Sequence, residues 1–161
     1  MILSGIINFY NRNYFKKVKQ SENKEVFSRL TQLMSPNYLK EDDDFFKGKV
    51  CLDAGCGSHA WTTYSMLKHW AEKVYAFDLD ETIFEKAPEY LKEFEGKYEL
   101  KVDNVLNMQF DDNFFDFVHC GGVLHHTTDL PGGIKELGRV TKNGGILEIH
   151  TYGKGGLVRE L

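Results

Sequence analysis

From Ser21 to Met34, the apolar residues Val26, Phe27, Leu30, Leu33 and Met34 recur at helical spacing, which predicts an amphipathic helix stopped by Ser35-Pro36. From Lys49 onward the texture changes, and short apolar runs alternate with helix-like segments. Val50 to Leu52 reads as a strand, Ala60 to Trp70 as a helix, and Val74 to Phe77 as a second strand. A helix follows from about Glu81, and Pro88 breaks or restarts it. Tyr98 to Val102 and Phe115 to Cys120 read as further strands. Leu130 to Val140 reads as a helix closed by Asn143-Gly144-Gly145, and Ile146 to Thr151 as a last strand. Strands alternating with helices imply βαβ units: an α/β three-layer sandwich with a mainly parallel sheet of about five strands, preceded by N-terminal helices. Residues 1–47 form a helical cap segment in this reading and residues 48–161 the main unit, within one domain. Right-handed crossovers place ligand sites at the C-terminal ends of the strands, near the point where strand order reverses.

Composition changes this picture little. The 161 residues, 42% hydrophobic and 27% charged, suit one soluble globular domain. A formal charge of −4 offers no basic field to a phosphate backbone, so nucleic acid is not expected as a partner. Cys51, Cys56 and Cys120 lack CxxC or metal-type spacing and read as reduced thiols of a cytoplasmic protein. Met1 to Tyr10 lacks the basic and small-residue parts of a signal peptide, and no apolar stretch has the length of a membrane span. No histidine, cysteine and carboxylate cluster has metal-ligand spacing, so no metal is expected.

The chemistry concentrates in Val50 to Trp61. A buried strand ends at Asp53, and Gly55 and Gly57 follow before a helix. Glycines there permit a tight turn and a close approach of backbone to a ligand, and the helix start offers free N–H groups. The next strand ends in Asp78, where nucleotide-binding α/β folds place the acid that accepts ribose hydroxyls. Taken alone, Asp78 also suits a helix cap, as does Asp80; with the glycine turn the ribose reading is favoured. Gly55 to Ala60 fits a dinucleotide fingerprint as well as a turn for S-adenosylmethionine (SAM). Asp53 separates the two. Its charge beside a pyrophosphate would cost up to ~4 kcal/mol at about 4 Å and an effective dielectric near 20, whereas it attracts the ammonium of SAM.

Five stretches, in order, resemble class I SAM-dependent methyltransferases: LDAGCGS, VYAFDLD, Asn104 to Val118, Cys120 to His126, and Ile134 to Ile149. The resemblance runs from about Lys49 to Thr151 and is closest in flavour to the subgroup that methylates small molecules and lipids such as quinones. It implies a Rossmann-like fold, SAM as cofactor with S-adenosylhomocysteine (SAH) as product, and transfer of a methyl group to a small-molecule acceptor. By position, Asp53, Ala54, Gly55, Cys56 and Gly57 would hold the methionine part, and Asp78 and Leu79 the ribose and one adenine face. Asn104, or Asp103 if the register slips, would meet the adenine amine, with Val105 beside it. Cys120 and Gly121 would line the methionine end. His125 and His126 are the catalytic candidates, with His150 a weaker one, because an imidazole suits proton transfer near neutral pH. Glu136 and Arg139 read as a structural pair. The N-terminal Phe9, Tyr10, Tyr14 and Phe15 resemble a cap over cofactor and acceptor, although an amphipathic helix docking its aromatics on the sheet is the favoured reading.

Two departures stand out. His59 occupies the family's third glycine position, where it would crowd or contact the cofactor. The family's sheet also normally continues past the fifth strand with an antiparallel finish, whereas this sequence reaches Leu161 soon after it. The expectation is therefore an exposed fifth-strand edge open to self-association or a partner chain. The alternative function is a SAM- or SAH-binding module inactive until a partner completes it.

Overall fold

A computed structural model of the chain describes Ser28, Thr31, Gln32 and residues 34–81 and 85–151. The N-terminal aromatic cluster, most of the Ser21–Met34 helix and the Lys154-Gly155-Gly156 turn lie outside the described residues. The first described helix, α1 (Pro36–Leu39), starts where the Ser35 side chain accepts the Tyr38 N–H.

Five strands follow: β1 (Val50–Ala54), β2 (Lys73–Asp78), β3 (Tyr98–Val102), β4 (Phe115–Gly121) and β5 (Thr141–His150). They form one sheet in the order β3-β2-β1-β4-β5, and every neighbouring pair is parallel. Helix α2 (Trp61–Lys68) connects β1 to β2, and α3 (Ala87–Leu91) leads towards β3. Helix α4 (Leu130–Val140) connects β4 to β5. Strand order reverses between β1 and β4, so the crevice expected to take a ligand opens there.

Alternation along β1 and β4 divides the core in two. Cys51 and Phe117 pack on one face with Val74, Met66, Met34 and Phe46. Leu52, Ala54, Val118 and Cys120 pack on the other with Phe77 and Leu137. Apolar residues on both faces account for the continuous apolar runs that predicted these strands. Period-two geometry then puts Asp53 and His119 on the first face, one step beyond Cys51 and Phe117. They pair across the β1–β4 ladder, and His119 pairs with Glu148 across the β4–β5 ladder. A row of polar side chains thus crosses the sheet at its C-terminal edge.

One expectation needs correction. Asn143-Gly144-Gly145 does not close the helix: α4 ends at Val140, its cap residue Thr141 already begins β5, and the Asn-Gly-Gly lies inside that strand. Phe115 pairs with Thr141 but Phe117 with Ile146, so the extra residues form an irregularity at which Gly144 adopts φ +81°. A positive φ is read from sequence as a helix end just as readily as a bulge.

Glu136 and Arg139 are the structural pair expected. The guanidinium donates to both Glu136 carboxylate oxygens, to Asp112 Oδ1 and to the carbonyls of Phe110 and Met108, at 2.6–3.1 Å. Glu136 Oε1 also accepts the Met108 N–H, so the pair ties segment 108–112 to α4. Arg139→Ala leaves two carbonyls and two carboxylates without the guanidinium and is expected to cost about 2 kcal/mol, a fall in Tm of roughly 4–8 °C. A melting curve within about a degree of the parent would show that water replaces the guanidinium at no cost.

Candidate functional site

The glycine turn begins where β1 leaves the sheet. Gly55, with φ +84°, and Cys56 both donate backbone N–H to the Phe77 carbonyl, at 2.8 and 3.0 Å. Gly57, with φ +64°, donates to Asp78 Oδ2 at 3.2 Å, and Leu79 N–H bonds Asp78 Oδ1 at 2.7 Å. Asp78 therefore joins the ends of β1 and β2, and each of its oxygens retains a lone pair. It does not cap a helix among the described residues.

Asp53 is 1% exposed. Its Oδ2 accepts both the Thr63 N–H at 3.0 Å and the Thr63 hydroxyl at 2.7 Å, in the first turn of α2. Both bonds fall on one oxygen, which leaves Oδ1 for another donor.

The electrostatics of this corner are acidic. Burial pushes Asp53 above the ordinary carboxylate range; His119 and the Thr63 bonds pull it back, and Glu148 pushes it further up. Burial likewise raises Asp78, and the charges of Asp53 and Asp80 add to it against the Leu79 and Gly57 bonds. Cys56, between the two acids, is raised well above an ordinary thiol by burial and then by both carboxylates. Carboxylates raised in this way are relieved by a cationic ligand. Cys51 and Cys120 are free thiols that burial pushes up to about 12, which makes them packing residues rather than nucleophiles.

A pH prediction follows for Asp53. Its folded-state pKa is raised, so the ionised carboxylate detracts from stability as pH climbs from the unfolded value through the folded one. Asp53→Asn is expected to melt like the parent near about pH 3.5 and about 2–4 °C above it at about pH 7. Thermal melts across that range check this, and a difference that does not change with pH would refute it.

The other candidates fall around the same corner. Ala54 is fully buried at the end of β1, and Val105 is 4% exposed. Asp103 accepts the Asn104 N–H on Oδ1, and on Oδ2 both the Gln109 N–H and the Lys101 ammonium. It is thus occupied in holding its own loop. The half-buried Asn104 accepts the Leu106 N–H through Oδ1. Gly121 ends β4 beside the switch point, and a Cβ there would stand 2.7 Å from His119 Nε2. His125 and His126 lie on a 3-10 turn (Leu124–His126), rings 4.0 Å apart; burial, then the neighbouring His125, lowers the His126 pKa. Helix α4 is capped by Asp129, which accepts the Gly132 N–H. His59 is 3% exposed, stacked on Trp61 with centroids 4.9 Å apart and 5.2 Å from Tyr90. It is turned into the packing beside α2.

Two residues were missed in the sequence. His119 bonds Glu148 through Nδ1, and Glu148 bonds His150 through its second oxygen. The available signal was polar residues interrupting apolar strand runs, Phe-Val-His-Cys and Ile-Leu-Glu-Ile-His, which burial tolerates only when they are paired.

A family model described as a methyltransferase domain matches residues 52–149, most of the chain. The chain belongs to this family. Its fold is the Rossmann-like fold of class I SAM-dependent methyltransferases. A demethylmenaquinone methyltransferase of Geobacillus stearothermophilus is 36% identical over 103 residues, covering 62% of this chain and 44% of the relative. An uncharacterised protein of Methanocaldococcus jannaschii is 28% identical over 148 residues, covering 92% of this chain and 58% of the relative. A crystal structure of an S-adenosylmethionine-dependent methyltransferase from Mesorhizobium loti superposes with a TM-score of 0.58 at 20% identity. That match covers 63% of this chain and 45% of the other, and it speaks for the fold alone. The chain spans about half the length of the curated relatives it matches.

Proposed function

We propose that this methyltransferase domain binds SAM at the β1–β2 corner and transfers its methyl group to a small-molecule acceptor. The observation that carries the reading is the pair of carboxylates, buried Asp53 and half-buried Asp78, flanking a positive-φ glycine turn with their pKa values raised. A sulfonium and an ammonium relieve that charge, whereas a pyrophosphate would aggravate it. In this reading Asp53 Oδ1 and the backbone of Ala54 to Gly57 take the methionine end, near Cys120 and Gly121. Asp78 accepts the ribose hydroxyls, and Leu79 and Val105 flank the adenine. Asn104 is the better placed of the two loop residues for the adenine amine, because Asp103 already serves three donors.

When bound, SAM supplies a methyl group already activated on sulfur. The protein's part is then chiefly to hold acceptor and donor in line. His125 and His126 remain candidates to take a proton from the acceptor. The curated relatives that are named demethylmenaquinone methyltransferases favour a reduced aromatic ring as acceptor. Ile146 on β5 is 40% exposed, and association through that edge belongs to this proposal, as does a cytoplasmic location. No helix of the described residues is long and apolar enough to cross a membrane.

Calorimetric titration with SAM and SAH, with NAD as the control, tests the reading. Micromolar binding of both sulfur ligands without NAD binding is the expected result. NAD binding in place of SAH would overturn it. Turnover of SAM with reduced 1,4-naphthoquinone, followed as SAH formed, tests the acceptor class.

A further inference from the structure

We infer that His119 is a proton acceptor for the methyl-transfer reaction and that Glu148 is the residue that orients it. The inference rests on the function proposed above and adds a base to it. His119 projects from β4 on the face shared with Asp53, and it is 7% exposed. A buried imidazole needs a partner, and the parallel register supplies one directly opposite, on β5. Glu148 binds His119 Nδ1 through one carboxylate oxygen and His150 Nε2 through the other. Burial raises the Glu148 carboxyl, but the bonds and charges of His119 and His150 more than offset it and hold it below its ordinary range. A carboxylate held ionised between two imidazoles fixes which nitrogen of each carries the proton.

The second nitrogen of His119 is the one with chemistry to do. Among the described residues Nε2 makes no hydrogen bond, and the ring edge that carries it lies over Gly121. A Cβ at position 121 would come within 2.7 Å of Nε2 and 2.9 Å of Cε1. The glycine therefore makes room for the imidazole at the end of β4, where the methionine part of the cofactor is assigned. The groups facing His119 are Asp53 from β1, which is hydrogen-bonded to Thr63 of α2, and Glu148 and His150 from β5. With Nδ1–H held by Glu148, the Nε2 lone pair can take a proton from the acceptor. The acceptor's freed electron pair forms the bond to the methyl carbon, and the carbon–sulfur pair stays on sulfur. The imidazolium that results is stabilised by Glu148.

Nitrogen-15 NMR of the histidine side chains in the full chain, at mildly alkaline pH, tests this. The expected result for ligand-free protein is a neutral His119 as the Nδ1–H tautomer with a bare Nε2, whose resonance shifts on adding SAH. Glu148→Leu is expected to lose the single tautomer, giving a mixture. In the naphthoquinone assay, Glu148→Gln is expected to lower kcat about 10- to 100-fold while the KM for SAM holds. An Nε2–H tautomer, or a doubly protonated ring at that pH, would make the cluster a structural ion pair and overturn the inference. An unmoved His119 resonance while calorimetry records SAH binding would overturn it as well. Failure of the parent to bind SAH would instead strike the proposed function, and the ligand-free tautomer would still decide whether His119 is built as a base.

Discussion

Asp78→Ala is expected to weaken SAH binding by about 30- to 1,000-fold, the largest effect on ligand affinity in this domain. Two ribose hydroxyls donating to one half-buried carboxylate are charge-assisted bonds, together about 2–4 kcal/mol after the water they displace. The same carboxylate holds the Gly57 and Leu79 N–H groups, so the variant also loosens the turn proposed to take the methionine end. Asp78→Asn separates these contributions, because the amide oxygen still accepts a backbone N–H while the charge is gone. Its amino group faces the other N–H donor, so it is expected to melt between the parent and Asp78→Ala and to bind SAH at an intermediate affinity. Calorimetry on the three proteins measures both terms, and affinity within about threefold of the parent for Asp78→Ala would remove the ribose from this corner.

The parts of the molecule that were legible in the sequence are those in which one residue meets one local rule. The strands of the core announce themselves because β1 and β4 are apolar on both faces, and helix α4 covers the Leu130–Val140 span that its periodicity predicts. The glycine turn was legible because positive φ at Gly55 and Gly57 is a backbone demand that few other residues meet. Asn143-Gly144-Gly145 misled for the same reason. Glycine marks a positive φ without saying whether a helix ends or a strand bulges, and only the pairing of Phe115 and Phe117 with β5 decides.

What sequence reasoning could not supply was register. His119 and Glu148 are far apart in the chain, and nothing local says that they stand opposite each other. Parallel pairing of β4 with β5 fixes it, and that pairing depends on the whole crossover through α4. His59 shows the converse: its place in the motif says nothing of its neighbours, and the fold stacks the ring on Trp61 and packs it near Tyr90. A motif fixes where the backbone goes and leaves the rotamer to its neighbours.

Gly55→Ala is expected to lower Tm by about 5–15 °C, and the cause divides into two parts that can be measured separately. The first is backbone strain: at φ +84° an added Cβ costs roughly 1–2 kcal/mol whatever surrounds it. The second is steric, since that Cβ would stand 2.2 Å from Val123 Cγ2, on the loop that follows β4. Val123 is branched at Cβ and has little rotamer freedom, so the loop itself must move, for about another 1–2 kcal/mol. Gly57→Ala is the control, because φ there is +64° but nothing lies within 4 Å of the new methyl. It is expected to show the strain alone, about half the loss. Gly55→Ala combined with Val123→Ala should recover the steric part and leave the strain, a coupling of about 1–2 kcal/mol in a double-mutant cycle. Equal melting of Gly55→Ala and Gly57→Ala would show that the β4 loop does not rest on the glycine. With the coupling present, the close approach of Val123 to Gly55 is what brings the end of β4, with Gly121 and the His119 ring beside it, against the turn proposed to hold the cofactor.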